Sequence, residues 1–291
     1  MDLFDAARYF DGMAVTDAYD ASALFTGQMD QYQGTERDSM TGWRRSISAP
    51  AVTVPDRGAV SINGNIYLTG RTVEDYFQTE VIRTHLLLHP SDGLFTRGWA
   101  KAFIAEDDEN LTEAYAALAI RKEQKEESES SQFFSLYNIY IATSESVTRD
   151  QLVQSPDGVF FRVQSVEPQT GGFVTLYVSE LETNTLIELS YYVAGEYDVT
   201  SDTVATEPAE SISGFLERYQ TNYRYTRWAS EKFKNGDAVV TINADDIADP
   251  RNNDRIVIGS TGYRVLERQS DTQGCWELHV RPTEFNLVVE T

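Results

Sequence analysis

The sequence predicts a mainly β chain with accessory helices, organised as tandem small antiparallel β-barrel or sandwich modules. Three observations carry that expectation. Short apolar-alternating runs recur between Gly, Asn and Asp turn residues, most clearly from Ala238 to Pro282. Two such stretches align with each other without a gap. An aromatic fraction of 12% within a hydrophobic fraction of 41% suits a Tyr- and Phe-rich β protein rather than a disordered one.

The 291 residues allow two or three domains with substantial cores, so neither disulfides nor a structural metal is needed. Cys275 is the single cysteine, which excludes an internal disulfide framework and fits a chain folded in a reducing cytosol. The opening MDLFDAARYF lacks a basic segment followed by an apolar one, so no signal peptide is expected. No apolar run approaches the length of a membrane span. The net charge of −22 keeps the protein soluble and argues against wrapping nucleic acid. Such a surface would also let DNA slide past without sticking.

Taken in order, residues 1–45 predict an N-terminal helical segment. Leu3, Ala6, Ala7, Phe10, Ala14, Tyr19 and Leu24 recur at about helical spacing. Residues 46–98 predict a possible first β module. Its mark is the Asn63-Gly64 turn between the alternating runs Ala59–Ile62 and Ile66–Leu68. Residues 99–131 predict a helix and linker, because Asn110–Lys125 is rich in Ala and Leu with basic residues late. Residues 132–200 predict a second β module, 201–234 a linker and helix, and 235–291 a third β module.

The internal match pairs Phe161–Val178 (FRVQSVEPQTGGFVTLYV) with Tyr263–Val280 (YRVLERQSDTQGCWELHV), displaced by 102 positions from Phe161 to Tyr263. Arg162 meets Arg264, Val163 meets Val265, Thr170 meets Thr272, Gly172 meets Gly274, Leu176 meets Leu278 and Val178 meets Val280. Identities at the turn glycine and on alternating positions indicate a duplicated module. Upstream, Asp150–Val153 aligns with Asp254–Val257, and Asp56, Arg57 and Tyr67 give the first module a fainter version.

No catalytic constellation stands out: there is no G-x-S-x-G elbow, Walker loop or G-x-G-x-x-G. Cys275 has no local basic cluster to make it a thiolate. His85 and His89 on a strand would lie on one face roughly 13 Å apart, too far for one ion. His279 is out of pleat phase with Leu278 and Val280 and is expected at solvent or an interface. The loop residues Asn243, Asp245, Asp246, Asp249, Asn252 and Asp254 offer hard oxygen ligands for Ca²⁺. They lack the EF-hand order, and Asp and Asn also serve simply as turn formers. No catalytic residue, cofactor or metal is assigned. The residues singled out are a candidate interface loop (Asp245, Asp246, Asp249, Arg251, Asn252, Asn253) and a second one (Thr143, Glu145, Ser146, Arg149). The first is longer and more acidic, so the two modules are expected to face different partners.

A resemblance follows from the third module. A long Asp/Pro-containing loop (Asp245–Asn252) leads to the Asp254–Ile258 strand. Gly262-Tyr263-Arg264-Val265 comes next, and a closing strand runs through Gly274–Val280. Together these resemble the head-closure (stopper) and head–tail joining β-barrel proteins of tailed bacteriophages, best over residues 238–282. The resemblance implies a non-enzymatic virion structural protein, folded in the host cytoplasm and placed at the neck as a connector or tail adaptor. It further implies a ring of copies around the DNA channel. Its partners would be itself, portal, adaptor or tail proteins, and double-stranded DNA passing without sequence-specific binding, with no membrane. The alternatives are a decoration or carbohydrate-binding tail protein, with Tyr191, Tyr192 and Trp276 as an aromatic platform, or a hydrolase using Asp245 and Asp249.

Overall fold

A computed structural model describes residues 12–31, 45–105, 108–120, 137–168, 173–181, 186–198, 203–206, 210–218, 234, 236–270, 273–283 and 286–289. They form three closed six-stranded antiparallel barrels and one three-stranded sheet.

Barrel one contains β1 (Met13–Asp17), β2 (Ala23–Gln31), β3 (Arg45–Ala49), β4 (Ala59–Ile62), β5 (Asn65–Phe77) and β6 (Glu80–Pro90). Barrel two contains β7 (Gly93–Gly98), β8 (Thr112–Ile120), β9 (Tyr137–Ile141), β10 (Leu152–Gln154), β11 (Phe160–Pro168) and β12 (Val174–Glu180). A short helix α1 (Ala100–Ile104) and a 3-10 turn (Asp108–Asn110) lie between β7 and β8. In barrel three, β13 (Ile187–Tyr192) is followed by the inserted hairpin β14 (Ala194–Asp198) and β15 (Thr203–Thr206). The barrel continues with β16 (Glu210–Arg218), β17 (Ala238–Asn243), β18 (Arg255–Ile258), β19 (Thr261–Ser270) and β20 (Cys275–Pro282). β21 (Asn286–Val289) then runs parallel to β15 and completes the separate sheet.

All three barrels share one strand order. Two three-stranded meanders close on each other, the first strand pairing with the fourth and the third with the sixth. The register repeats as well. Val163 faces Val178 in barrel two, and Val265 faces Val280 in barrel three. Each pair is followed by a one-residue bulge on the fifth strand, before Ser165 and Glu267 respectively. In barrel one, Thr69 faces Leu88 and the next pair is Thr72 with Leu86, again one residue longer on the fifth strand. Bulges of this kind bend a strand and help a sheet close. Tyr67, Phe161 and Tyr263 hold equivalent buried positions, opposite Val60, Val153 and Ile256. The first module is therefore a third copy of the same architecture. The upstream alignment shifts by one residue, because Val153 corresponds to Ile256. Asp150 and Asn253 likewise share a left-handed backbone (φ 70 and 79).

Each barrel wraps its own core, and the equivalent Leu86, Leu176 and Leu278 are all fully buried. The Asn63-Gly64 hairpin forms as the sequence indicates, with both residues at positive φ.

The helical expectations fail in all three segments, and for β8 and β16 the reason is that the strand is covered on both faces. Within 1–45, Met13–Asp17 and Ala23–Gln31 are strands, so barrel one begins well before residue 46; residues 1–11 lie outside the described residues. Within 99–131, only Ala100–Ile104 is α-helical. Thr112–Ile120, the most helix-like stretch of the sequence, is β8. Ala114, Ala116 and Leu118 of β8 face the core of barrel two, while Tyr115, Ala117 and Ala119 face barrel one. Helix propensity yields to this packing on both faces. The acidic run 126–131 lies outside the described residues. Thr203–Thr206 and Glu210–Arg218 are strands where 201–234 predicted a linker and helix, and the aromatic-rich 219–233 lies outside the described residues. Barrels two and three thus start at residues 93 and 187 rather than 132 and 235. No helix among the described residues is long and apolar enough to cross a membrane.

Candidate interaction surfaces

The barrels dock in a row through two junctions that use the same positions. At the first, Ala59 and Leu68 of barrel one cluster with Ala117, Tyr140, Ala142 and Phe173 of barrel two. At the second, Leu152 and Phe160 of barrel two, with Ala100 and Phe103 of α1, cluster with Phe215 and Cys275 of barrel three. By strand register Ala59 corresponds to Leu152 and Leu68 to Arg162. On the receiving side Ala117 corresponds to Phe215, Tyr140 to Thr241, Ala142 to Asn243 and Phe173 to Cys275.

The chemistry at those positions differs. At the first junction the Tyr19 hydroxyl donates to the Ala142 carbonyl (3.1 Å) and accepts from the Tyr115 amide (3.0 Å). The Arg57 guanidinium lies over the Tyr19 ring at 3.6 Å and donates to the Glu113 carbonyl (3.1 Å). Burial pushes the Tyr19 phenol up, with the Tyr115 amide and Arg57 opposing it. At the second junction Arg162 donates through Nε (2.9 Å) and a terminal nitrogen (2.6 Å) to Glu217 Oε1. The side chains are only 4% and 12% exposed, so this is a buried pair. Phe103, Phe160 and Phe215 form an edge-to-face ladder with 5.1 Å between successive centroids.

The first candidate loop joins β17 to β18 and is pinned at several points. Ile247 is buried in the barrel core, and its carbonyl accepts from Trp276 Nε1 (2.9 Å). Asp245 pairs with Lys101 of α1 (2.9 Å), which brings the loop to the second junction. Asp249 accepts from Arg268 and lies 3.7 Å from Arg251. Those contacts hold its carboxyl below the usual range. Asp246 is pushed up by burial and by Asp245. Asp254 is buried, accepting from the Tyr191 hydroxyl, the Ala194 amide (2.9 Å) and the Arg251 amide (2.7 Å). Burial and this carboxylate push the Tyr191 phenol up. Asp246, Asp249, Arg251, Asn252 and Asn253 remain exposed.

The second candidate loop joins β9 to β10, the equivalent place in barrel two. Buried Arg97 donates to Glu145, to the Ser146 carbonyl (3.4 Å) and to Thr143 Oγ1 (3.5 Å). Arg149 Nε lies 3.9 Å from Asp150. A cleft of 720 Å³ between barrels two and three is lined by Arg97, Lys101, Glu145, Ser146, Gln151 and Gln273, among others. The first loop therefore reaches the second junction through Asp245, while the second is held within barrel two by Arg97 and lines the cleft that Gln273 of barrel three also lines.

The remaining candidates fall elsewhere. His85 pairs with Asp75 (2.8 Å), while His89 bonds the Pro90 carbonyl (2.8 Å) and sits 5.3 Å from the Tyr140 ring. His279 is buried rather than at solvent: it contacts Asp237 (2.8 Å), which also accepts from Arg281 (2.7 and 2.8 Å). Its face points away from the core but is covered by this ionic group. Burial pushes the Asp237 carboxyl up. Its bonds to Arg281, the Lys234 amide and His279 outweigh that and leave it lowered. Tyr191 is in the core, so Tyr191, Tyr192 and Trp276 form no open platform. Among the described residues, no three His, Cys, Asp or Glu side chains are placed to hold a metal ion.

Sequence reading missed the residues that join the barrels: Tyr19, Arg57, Phe215 and Glu217. Arg162 was visible as the match to Arg264, but its partner was hidden in a segment with a helical pattern. No protein-family model, curated protein or solved structure matches the chain.

Proposed function

We propose that this chain is a virion structural protein of a tailed bacteriophage, acting as a neck, head–tail connector or tail-adaptor component that assembles as a ring around the DNA channel. The observation that carries the reading is the row of three same-order barrels, docked through shared positions. A protein built by repeated docking of one module suits an assembly built the same way. The likeness of residues 238–282 to head-closure and joining proteins supports the viral setting. The net charge of −22 suits a surface past which DNA moves without sticking. Asp245, Asp249, Thr143 and Glu145 of the two loops are engaged in positioning loops and barrels, which suits a structural role.

Electron microscopy of the purified protein, alone and with portal or tail proteins, tests the reading. Rings are expected. A strictly monomeric particle in both settings contradicts it.

A further inference from the structure

The two internal junctions define a docking frame, and its outer halves are left over at the ends of the row. Barrel three carries the donor half. Arg255 stands where Ala59 and Leu152 stand, and Arg264 where Leu68 and Arg162 stand. The β14–β15 hairpin replaces the connection that supplies Tyr19 in barrel one and α1 in barrel two. Arg255 is buried, so the residue this half offers is Arg264, which is exposed, whereas its counterpart Arg162 is buried against Glu217.

Barrel one carries the acceptor half. Register places Gln28, Ser48 and Pro50 at the positions of Phe215, Thr241 and Asn243. Asp30 falls at the position of Glu217, the residue that receives Arg162. Asp30 is half-buried and accepts from Ser48 Oγ at 3.1 Å. The β5–β6 hairpin belongs to the same end, because its counterparts run into Phe173 and Cys275 at the internal junctions. It is also longer. Nine residues separate Glu74 from Thr84, against five between the equivalent Pro168 and Val174. Its tip exposes Tyr76, Phe77, Val81 and Ile82, at 60%, 63%, 43% and 47%. Leu94 and Val54 are the other large hydrophobics of comparable exposure among the described residues. An apolar tip on a hairpin that carries Glu74 and Asp75, with Asp30 at the Glu217 position of the same barrel, complements an end at which Arg264 is exposed.

We propose that the Arg264 face of barrel three docks on barrel one of a second copy of this chain, head to tail, with Arg264 meeting Asp30 as Arg162 meets Glu217. The β5–β6 tip supplies the apolar contact. The contact is heterologous, so it closes a ring or extends a filament according to its rotation. It rests on the self-assembling part of the function proposed above and not on the viral part.

Charge reversal tests it in the 291-residue chain. Sedimentation velocity over a concentration series should show concentration-dependent oligomers. Arg264→Glu alone and Asp30→Arg alone should each weaken association by about tenfold or more, because like charges then face each other. Mixing the two variants should restore it, since the acid introduced at position 264 of one copy then meets the base introduced at position 30 of the other. Phe77→Ser, on an exposed tip, should weaken association while leaving thermal unfolding of the monomer unchanged. Oligomers indifferent to both reversals would overturn this interface while leaving ring assembly intact. A monomer at every concentration would overturn both.

Discussion

The first and second junctions solve one docking problem with different side chains. Barrel one meets barrel two through an apolar cluster, Ala59, Leu68, Ala117, Tyr140, Ala142 and Phe173, braced by Tyr19 and Arg57 on backbone groups. Barrel two meets barrel three through a phenylalanine ladder and the buried Arg162–Glu217 pair. Leu68 and Arg162 occupy one slot, and so do their neighbours Ala119 and Glu217. The strand frame fixes where the contact falls, and the residue pair decides what it is made of. A matched apolar pair or a matched ionic pair fills the slot, but an unmatched charge there is costly.

Breaking the ionic junction should give the largest effect. Glu217→Ala leaves the Arg162 charge buried without its carboxylate, and a loss of about 3–5 kcal/mol is expected in urea unfolding. Phe215→Ala removes the end of the ladder and should cost about 3–5 kcal/mol by the same measurement. At the apolar junction, Leu68→Ala should cost about 2–5 kcal/mol, nearer the lower figure if the surrounding alanines close in.

Acid should separate the junctions further. His89 packs beside Tyr140 at the first one, and burial lowers its pKa against the opposing Pro90 carbonyl and Asp92. A folded pKa below the unfolded value of about 6.5 means that the unfolded chain binds the proton more readily. The stabilisation is therefore complete above about pH 6.5 and is lost as pH falls through the folded value. His279, lowered mainly by burial, has the same sign within barrel three. Melting curves from pH 7.5 to 5 should show stability falling, and His89→Gln should flatten the part of that fall due to the first junction. The smallest effect is expected at the loop surface. Asp249→Asn removes an exposed partner of Arg268 and should leave the melting temperature unchanged within error.

Much of the architecture was legible because the second meander of each barrel carries the alternation that sequence patterns reveal. β19 and β20 have buried Tyr263 and Val265 separated by Arg264, and Leu278 and Val280 separated by His279, and β11 and β12 repeat that spacing. The first meanders were hidden for a physical reason. β8 and β16 are covered by a core on one face and by a neighbouring barrel on the other, so alternation is replaced by runs such as Ala-Ala-Leu-Ala. The candidate loops were found as loops. That Asp245 reaches Lys101 and Glu145 reaches Arg97 depends on how the barrels and strands come together, which spacing along the chain does not encode.

The repeated docking frame is tested most directly by giving the second junction the chemistry of the first. Arg162→Leu, Glu217→Ala and the double substitution form a double-mutant cycle in urea unfolding. The frame predicts that the double variant recovers most of the stability lost by Glu217→Ala alone, because leucine then faces alanine as Leu68 does at the first junction. A double variant no more stable than Glu217→Ala would show that the two junctions do not share an interchangeable slot.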